Sequence, residues 1–574
     1  MAESGLSILF PDQEHVTYVM IPGETWHDLG MDAVVEKVAK TPHEVPLLQR
    51  VMASLTPDPA VSRFRADVFA DLLALPEARN QLLTLLERVK TFYDYGVSRS
   101  HSGDDGLWDL MHRLEGYHDY ILTVEAIRAC LADGRIRSEG LRHLREAVDR
   151  IYESNSFAAL KKDVEALRVS ASGVRSLTVG VNVNERFEAI SMGLIAVNAK
   201  PFTYSGLLKH FVSAVSARDN IQPEAEWSGK LTYEPASSPS ITQKMESLAV
   251  TGAVLRNPLL GLSLAAIPRD DGSAEVPHQM DTAASQMVNR LVRKLKDVLA
   301  QYMNISVRDI ANLIPELLFY VRWAEYLEGL KEKGWRFCKP EAGAKGDGAS
   351  SMDARGFYNL KLIGSISPGE AVSNDLIFDR EKRIYVLTGA NRGGKTTVTQ
   401  AVGQLYIMAQ SGLSVPAESF AFDPADRVLT HFPADEDKTL DLGRLGEECR
   451  RFREIYLQAT GESLILLNES FSTTSFEEGY YIAVDALRAL LRRNARVIYN
   501  THMHKIAFEL DTAVNSPGIQ GKAFSLVSVT EEGIPSFRVR IAPPEGKSFA
   551  RSIAEKYGVT YEALTGTEAV NLSP

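Results

Sequence analysis

Gly389-Ala390-Asn391-Arg392-Gly393-Gly394-Lys395-Thr396-Thr397 is the stretch on which the reading of this chain turns. Its first eight residues follow the pattern G-x-x-x-x-G-K-T. Glycines let backbone N–H groups curl around phosphate oxygens, the lysine reaches the outer phosphates, and the hydroxyl after it can bind magnesium. The setting argues against a chance match. Ile384-Tyr385-Val386-Leu387 is a short apolar run just before the loop, and a helical pattern runs from Val398 to Met408 after it. That is the strand–loop–helix context the pattern requires. ATP and Mg2+ are therefore the expected cofactors. Gly389, Asn391, Gly393, Gly394, Lys395, Thr396 and Thr397 are the expected nucleotide-binding residues.

Two further apolar runs end in polar residues. In Leu464-Ile465-Leu466-Leu467-Asn468-Glu469, the first polar position is where an acid would help hold magnesium, and the following Glu would orient an attacking water. Asn468 stands where that acid would be. An amide is a neutral oxygen donor and compensates less charge than a carboxylate. Thr396 and Asn468 are thus the metal-site candidates, with slowed hydrolysis as the consequence, and Glu469 is the catalytic carboxylate. The third run, Val497-Ile498-Tyr499-Asn500-Thr501-His502, brings a histidine to the end of a strand. A lone histidine is usually structural, but ligands bind at the carboxyl ends of strands in parallel sheets. His502 is accordingly a catalytic candidate near the γ-phosphate.

Further from the loop, the pattern of the chain divides it. Residues 1–175 read as helical: Val34-Val35 and the run from Phe64 to Leu73 space apolar residues three and four apart. Residues 176–275 change period, with Val179, Val181 and Val183 alternating and Leu194 to Val197 apolar, so strands are expected there. Residues 276–340 return to helix. Val288, Leu291, Val292, Leu295, Val298, Leu299 and Tyr302 form an apolar stripe, opposite Arg290, Arg293, Lys294 and Lys296. Such a basic face either touches phosphates or is simply solvated, and the second use is the commoner. Residues 341–354, containing EAGAKGDGASS, read as a linker. Residues 355–574 alternate short strands with helices, as in an α/β domain with a largely parallel sheet.

The motifs together resemble the MutS family of DNA mismatch-repair proteins. GANRGGKTT is similar to the family's GPNxGGKST loop. Ser373-Asn374-Asp375 precedes the loop strand like its N-D element, and Gly412 with Val415-Pro416-Ala417 is similar to its G-x-x-V-P-A stretch. Asn468-Glu469 with Thr474-Ser475 and Glu478-Gly479 resembles D-E-x-x-x-G-T-S-x-x-D-G, and Thr501-His502 its T-H switch. Gly546-Lys547-Ser548 with Ala550, Ile553-Ala554 and Gly558-Val559 is similar to the closing segment. Trp26-His27-Asp28-Leu29, Arg65 to Leu73 and Pro315 to Trp323 resemble core and lever helices.

The resemblance implies a multidomain protein. A mainly α core and first lever arm would span 1–175, a strand-rich clamp-like insertion 176–275, returning lever helices 276–340, a linker 341–354, and an ABC-type P-loop ATPase 355–574. It implies a homodimer with shared ATP sites, DNA as a partner, and repair or recombination proteins as further partners. The chain starts close to the core helices, so neither a mismatch-reading domain with its Phe-x-Glu wedge nor a connector is expected, and no Smr nuclease domain is recognisable. Binding to DNA shape or branches is then expected over binding to mismatched bases. Three positions depart from the family: Asn468 for Asp, Gly443-Arg444-Leu445 where Ser-Thr-Phe would complete the partner's site, and Ala371 near the expected adenine-stacking aromatic. Gly443, Thr474 and Ser475 are the candidates for reaching across a dimer.

Composition sets the outer limits. The chain has 574 residues, 45% hydrophobic and 24% charged, with a net charge of −11. It carries no long-range basic field to announce nucleic-acid binding, although an acidic protein can still hold a local basic stripe. No apolar run is long enough for a membrane helix, and Met1-Ala2-Glu3-Ser4 lacks a signal-peptide start, so a cytoplasmic protein without membrane contact is expected. Cys130, Cys338 and Cys449 are far apart and without metal-ligand spacing. Two functions remain: a DNA-dependent ATPase acting as an ATP-gated dimeric clamp, and a nucleotide-gated scaffold that recruits partners with little turnover. A generic P-loop kinase leaves the T-H element and the helices before the loop unexplained.

Overall fold

The computed structural model describes residues 7–11, 18–82, 107–132, 134–171, 176–183, 185, 189–198, 289–302, 307–343, 350–390, 392–433, 443–519, 521–531, 534–544 and 557–565. The chain divides into two compact units. One holds residues 1–80, 133–144 and 312–574; the other holds residues 81–132 and 145–311.

The first unit begins with the short antiparallel pair β1 (Val19–Met20) and β2 (Ser54–Leu55) and the helices α1 (Gly23–Asp28), α2 (Met31–Val38), α3 (Glu44–Ala53) and α4 (Pro59–Ala74). The start of α4 is set locally. The Asp58 carboxylate accepts the Ala60 N–H at 2.7 Å, and Pro59 supplies a ready-made helical φ at the first position. Val61, Phe64, Val68, Phe69 and Leu72, spaced three and four apart, are its buried stripe.

The second unit contains α5 (Leu107–Cys130), most of α6 (Glu139–Tyr152), and α7 (Asn155–Ala171). The expected alternation appears as an antiparallel hairpin, β3 (Ser176–Val183) with β4 (Ala189–Asn198). Most of the remainder of the 176–275 insertion lies outside the described residues. Helix α8 (Asn289–Leu299) buries Leu295 and Leu299 and exposes Arg293 and Lys294. The Tyr302 hydroxyl that follows it donates to Asp163 at 2.5 Å, and the Tyr117 hydroxyl donates to the Tyr302 carbonyl at 3.0 Å.

The long helix α9 (Val307–Glu332) leads into a segment that departs from expectation. Of residues 341–354, read above as a linker, Glu341–Ala342 form β5, and Ser350 onward belong to β6 (Ser350–Phe357). With β7 (Asn374–Asp379) and the later β9 (Ser419–Phe422) they build a four-stranded sheet in the order β5-β9-β6-β7. Met352 and Ala354 alternate into the core, but in SSMDARGF that period is masked by small and charged neighbours.

The site is positioned by a second sheet of six strands. Its members are β8 (Lys382–Thr388), β10 (Val428–His431), β11 (Leu464–Asn468), β12 (Arg496–Asn500), β13 (Lys522–Glu531) and β14 (Ile534–Ile541), in the order β10-β11-β12-β8-β13-β14. All neighbours are parallel except β13 with β14. Strands buried on both faces explain the unbroken apolar runs in the sequence. On one face α10 (Lys395–Gln410) is buried almost throughout. Gly403 lets it approach: a Cβ there would meet Leu29 at 2.6 Å and Leu466 at 2.9 Å. On the other face, α12 (Phe476–Arg493) presents Tyr480, Ala483, Leu487 and Leu490 to Ile465, Leu467, Val497 and Tyr499. Two more helices, α11 (Gly443–Gln458) and α13 (His504–Phe508), complete this layer.

Helices α1–α4 are fastened to α10 by side-chain amides. Gln400 Nε2 donates to the Asp28 carbonyl at 2.6 Å, and Gln404 Nε2 to the Leu29 carbonyl at 2.9 Å. Gln410 Nε2 donates to the Thr56 carbonyl at 2.8 Å, while Arg65 Nη1 donates to the Gln410 carbonyl at 2.9 Å. Gly412, at φ +83°, lies so close to Arg65 that a Cβ would meet its backbone at 2.5 Å. Among the described residues, no helix is long and apolar enough to cross a membrane.

Candidate functional site

The glycine-rich loop joins β8 to α10, and Ser528 on the neighbouring β13 dictates where its glycines must be. A Cβ at Gly389 (φ +138°) would meet Ser528 Cβ at 2.8 Å and its carbonyl at 3.0 Å. A Cβ at Gly393 would meet the Ser528 hydroxyl at 2.7 Å and the Ala390 carbonyl at 2.9 Å. That hydroxyl donates to the Gly393 carbonyl at 2.6 Å and so fixes the loop from below. Gly394, at φ +79°, precedes the first residue of α10. Lys395 is buried, and its Nζ donates to the carbonyls of Gly389 at 3.2 Å and Ala390 at 3.0 Å. Burial lowers its pKa, with Glu469 opposing the shift. Thr397 is held through its carbonyl, which accepts from Asn359 Nδ2 at 2.8 Å. Asn391 lies outside the described residues.

At the carboxyl ends of β11 and β12 the remaining candidates meet. Thr396 Oγ1 donates to Asn468 Oδ1 at 3.0 Å. Asn500, paired in register with Asn468, donates from Nδ2 to the same Oδ1 and to Thr396 Oγ1, the latter at 3.2 Å. Glu469 sits in the left-handed region at φ +52°, which costs a non-glycine residue about 1–3 kcal/mol and tends to mark functional positions. Its N–H is tied to the Asn500 carbonyl at 2.8 Å, and its Oε1 meets His502 Nε2 at 2.7 Å. The His502 hydrogen bond holds the Glu469 carboxyl below its ordinary pKa against the opposing effect of burial.

These groups line a cavity of about 620 Å³. Arg392, Gly393, Gly394, Lys395, Thr396, Thr397, Glu469 and His502 all face it; Ala371 does not, although Val372 beside it does. Aromatic lining comes from Phe357, Tyr358 and Phe537. Tyr358 is committed elsewhere, its hydroxyl donating to the Arg336 carbonyl at 2.8 Å, whereas Phe537 is 47% exposed. Asn374 from the N-D element positions Phe537: its Nδ2 donates to the Phe537 carbonyl at 3.2 Å, and its Oδ1 accepts from Val539 at 2.7 Å. Asn500, Ser528 and Phe537 were not singled out by sequence, because each lies inside or beside a strand and only strand order brings it here.

Gly443, Thr474 and Ser475 do not line this cavity. Gly443 opens α11, exposed at φ +70°, with none of the described residues near its missing Cβ. Ser475 caps α12 by accepting the Glu478 N–H at 3.4 Å, and Thr474 donates to the Glu478 carboxylate. Among the described residues no group of three or more His, Cys, Asp or Glu converges as a metal site.

A multidomain protein with a large helical region, whose parallel sheet gathers a glycine-rich loop, a buried lysine and a Glu–His pair at one edge, is the class that fold and site define. Residues 57–333 match the MutS2 N-terminal domain, and residues 385–561 match MutS domain V. The chain belongs to the MutS/MutS2 family. It is 33% identical over 204 residues to Endonuclease MutS2 of Thermus thermophilus, covering 35% of this chain and 26% of that protein. It is 35% identical over 162 residues to the DNA mismatch repair protein MutS of Thermotoga maritima, covering 28% and 20% respectively. It is 27% identical over 303 residues to the mitochondrial DNA mismatch repair protein MSH1 of Arabidopsis thaliana, covering 52% and 26%. The chain thus spans only 20–26% of the length of these relatives.

Proposed function

We propose that this chain binds ATP and DNA and works as an ATP-gated dimeric clamp, hydrolysing ATP slowly in response to DNA. The observation that carries the reading is the Glu469–His502 pair, 2.7 Å apart, facing the same cavity as Lys395 and Thr396. Kinship with DNA- and ATP-binding repair proteins supports it.

The residues present fit a nucleotide. Gly389 and Gly393 let the loop pack down on Ser528, where a Cβ would clash, and Lys395 is desolvated where phosphate oxygens would offer it stronger partners than carbonyls. The loop N–H groups and Lys395 bind the phosphates. Phe537 offers a face to the base. Glu469, kept ionised by His502, orients water toward the terminal phosphate. Thr396 and Asn468 are the oxygens that would face a Mg2+ ion, which when bound would neutralise charge on the phosphates, but each is already engaged with the other and with Asn500. Contacts to DNA are mainly to phosphate, so affinity falls steeply with salt.

A second reading, the nucleotide-gated scaffold with little turnover, is favoured by Asn468 and by the bare backbone at Gly443, which has no hydroxyl for a partner's γ-phosphate. Steady-state ATP hydrolysis, measured with and without branched, mismatched and plain duplex DNA, separates the two. Stimulation by any of these DNAs supports the clamp and identifies its substrate class. Tight ATP binding with no turnover on all of them supports the scaffold.

A further inference from the structure

Three polar side chains close on one another at the foot of the loop. An amide oxygen has room for two hydrogen bonds. Asn468 Oδ1 already has two, one from the Thr396 hydroxyl at 3.0 Å and one from the side-chain N–H of Asn500. The Thr396 oxygen in turn accepts from Asn500 at 3.2 Å. Asn500 is fully buried, and its Oδ1 has no hydrogen-bond partner among the described residues. A buried amide oxygen left unpaired costs stability. This orientation is therefore set by what the Nδ2 side holds. A carboxylate at 468 would bring a charge and a second oxygen, leaving an acceptor for the water shell of a cation. The amide brings one oxygen, and Asn500 fills its last position.

We propose that Asn500 is a positioning residue that locks Asn468 and Thr396 to each other, so that this chain takes up ATP with little help from a divalent cation. Lys395 and the loop N–H groups meet the triphosphate charge instead. The inference rests on the ATP reading above and concerns how that site handles charge.

The test is equilibrium binding of a fluorescent ATP analogue to the full chain, in excess Mg2+ and in EDTA. Wild type changes affinity by less than about threefold between the two conditions. Asn500→Ala frees an acceptor on both Asn468 and Thr396, and Asn468→Asp adds charge; in each, Mg2+ tightens binding by about tenfold or more. Circular-dichroism melts establish that Asn500→Ala folds. Should it not fold, the wild-type ratio and Asn468→Asp still decide. A wild type tightened tenfold by Mg2+, or a folded Asn500→Ala with an unchanged ratio, overturns the proposal while leaving the ATP reading intact. Absence of analogue binding in both conditions overturns the ATP reading and this proposal with it.

Discussion

Lys395 and Glu469 face one cavity but do separable work. Lys395 is a buried ammonium whose partners in this structure are two loop carbonyls, so phosphate oxygens are better partners than those it holds. Lys395→Ala should weaken ATP binding by about 100-fold, the scale of losing one desolvated charge-assisted contact; a nucleotide titration of the variant reads this. Among the described residues Glu469 makes no hydrogen bond to the loop, and it is tied to His502. Glu469→Gln should leave binding within about threefold and reduce turnover by about 10²–10⁴, the range of a general-base contribution. Unchanged turnover would remove Glu469 from the water-orienting role. His502 holds the Glu469 carboxyl below its usual pKa. Without it that pKa rises, and the ionised fraction at a given acid pH falls. His502→Ala should therefore move the acid limb of the pH–rate profile to higher pH, whereas a purely structural histidine would lower the rate at every pH alike.

At the scale of elements, α9 and the segment at residues 7–10 share a half-buried carboxylate with its own pH signature. Glu316 accepts the Ile8 N–H at 2.7 Å and the Ser7 hydroxyl at 3.0 Å. Burial pushes its pKa up to about 7, against these bonds and the nearby Arg65. The folded state then binds the proton more tightly than the unfolded chain, so the group's contribution to stability is greatest at acid pH and declines as pH rises through about 7. Glutamine resembles the protonated form and does not titrate. The Tm of Glu316→Gln relative to wild type should accordingly rise between pH 5 and pH 8, and a constant difference across that range would contradict the assignment. How legible the elements were follows from their burial. The middles of strands β8, β11 and β12 are apolar because both faces are covered, and they announced themselves as unbroken runs ending in polar residues. β6 did not, because one face carries Ser351, Asp353 and Arg355 among small residues, and its pairing with β7 and β9 is made across long sequence separations. Glu469, His502 and Lys395 were legible because their chemistry is local to a motif. Asn500 and Ser528 were not: they reach the loop only because β12 and β13 flank β8, a neighbourhood that sequence order does not show.

At the scale of the whole molecule, the question is what completes the cavity. Gly443, Thr474 and Ser475, which the family resemblance assigns to a site shared between subunits, are absent from the lining of the chain's own cavity. Gly443 is exposed, with none of the described residues near its missing Cβ, and Ser475 is exposed at the start of α12. On the dimeric reading proposed above, such positions would serve another copy's nucleotide. If ATP bridges two copies, then ATP is a ligand of the dimer more than of the monomer, and by linkage it shifts association toward the dimer for as long as it survives. Hydrolysis would end that state, so the Glu469→Gln chain is the form in which to look for it. Light scattering on this variant should give about twice the 63.3 kDa chain mass in saturating ATP. Lys395→Ala, which holds the nucleotide about 100-fold more weakly, should show no such shift at an ATP concentration that just saturates Glu469→Gln. A Glu469→Gln chain that binds ATP yet keeps the same mass with and without it would mean that the site is complete within one subunit, and the clamp reading would lose the step that couples nucleotide to closure.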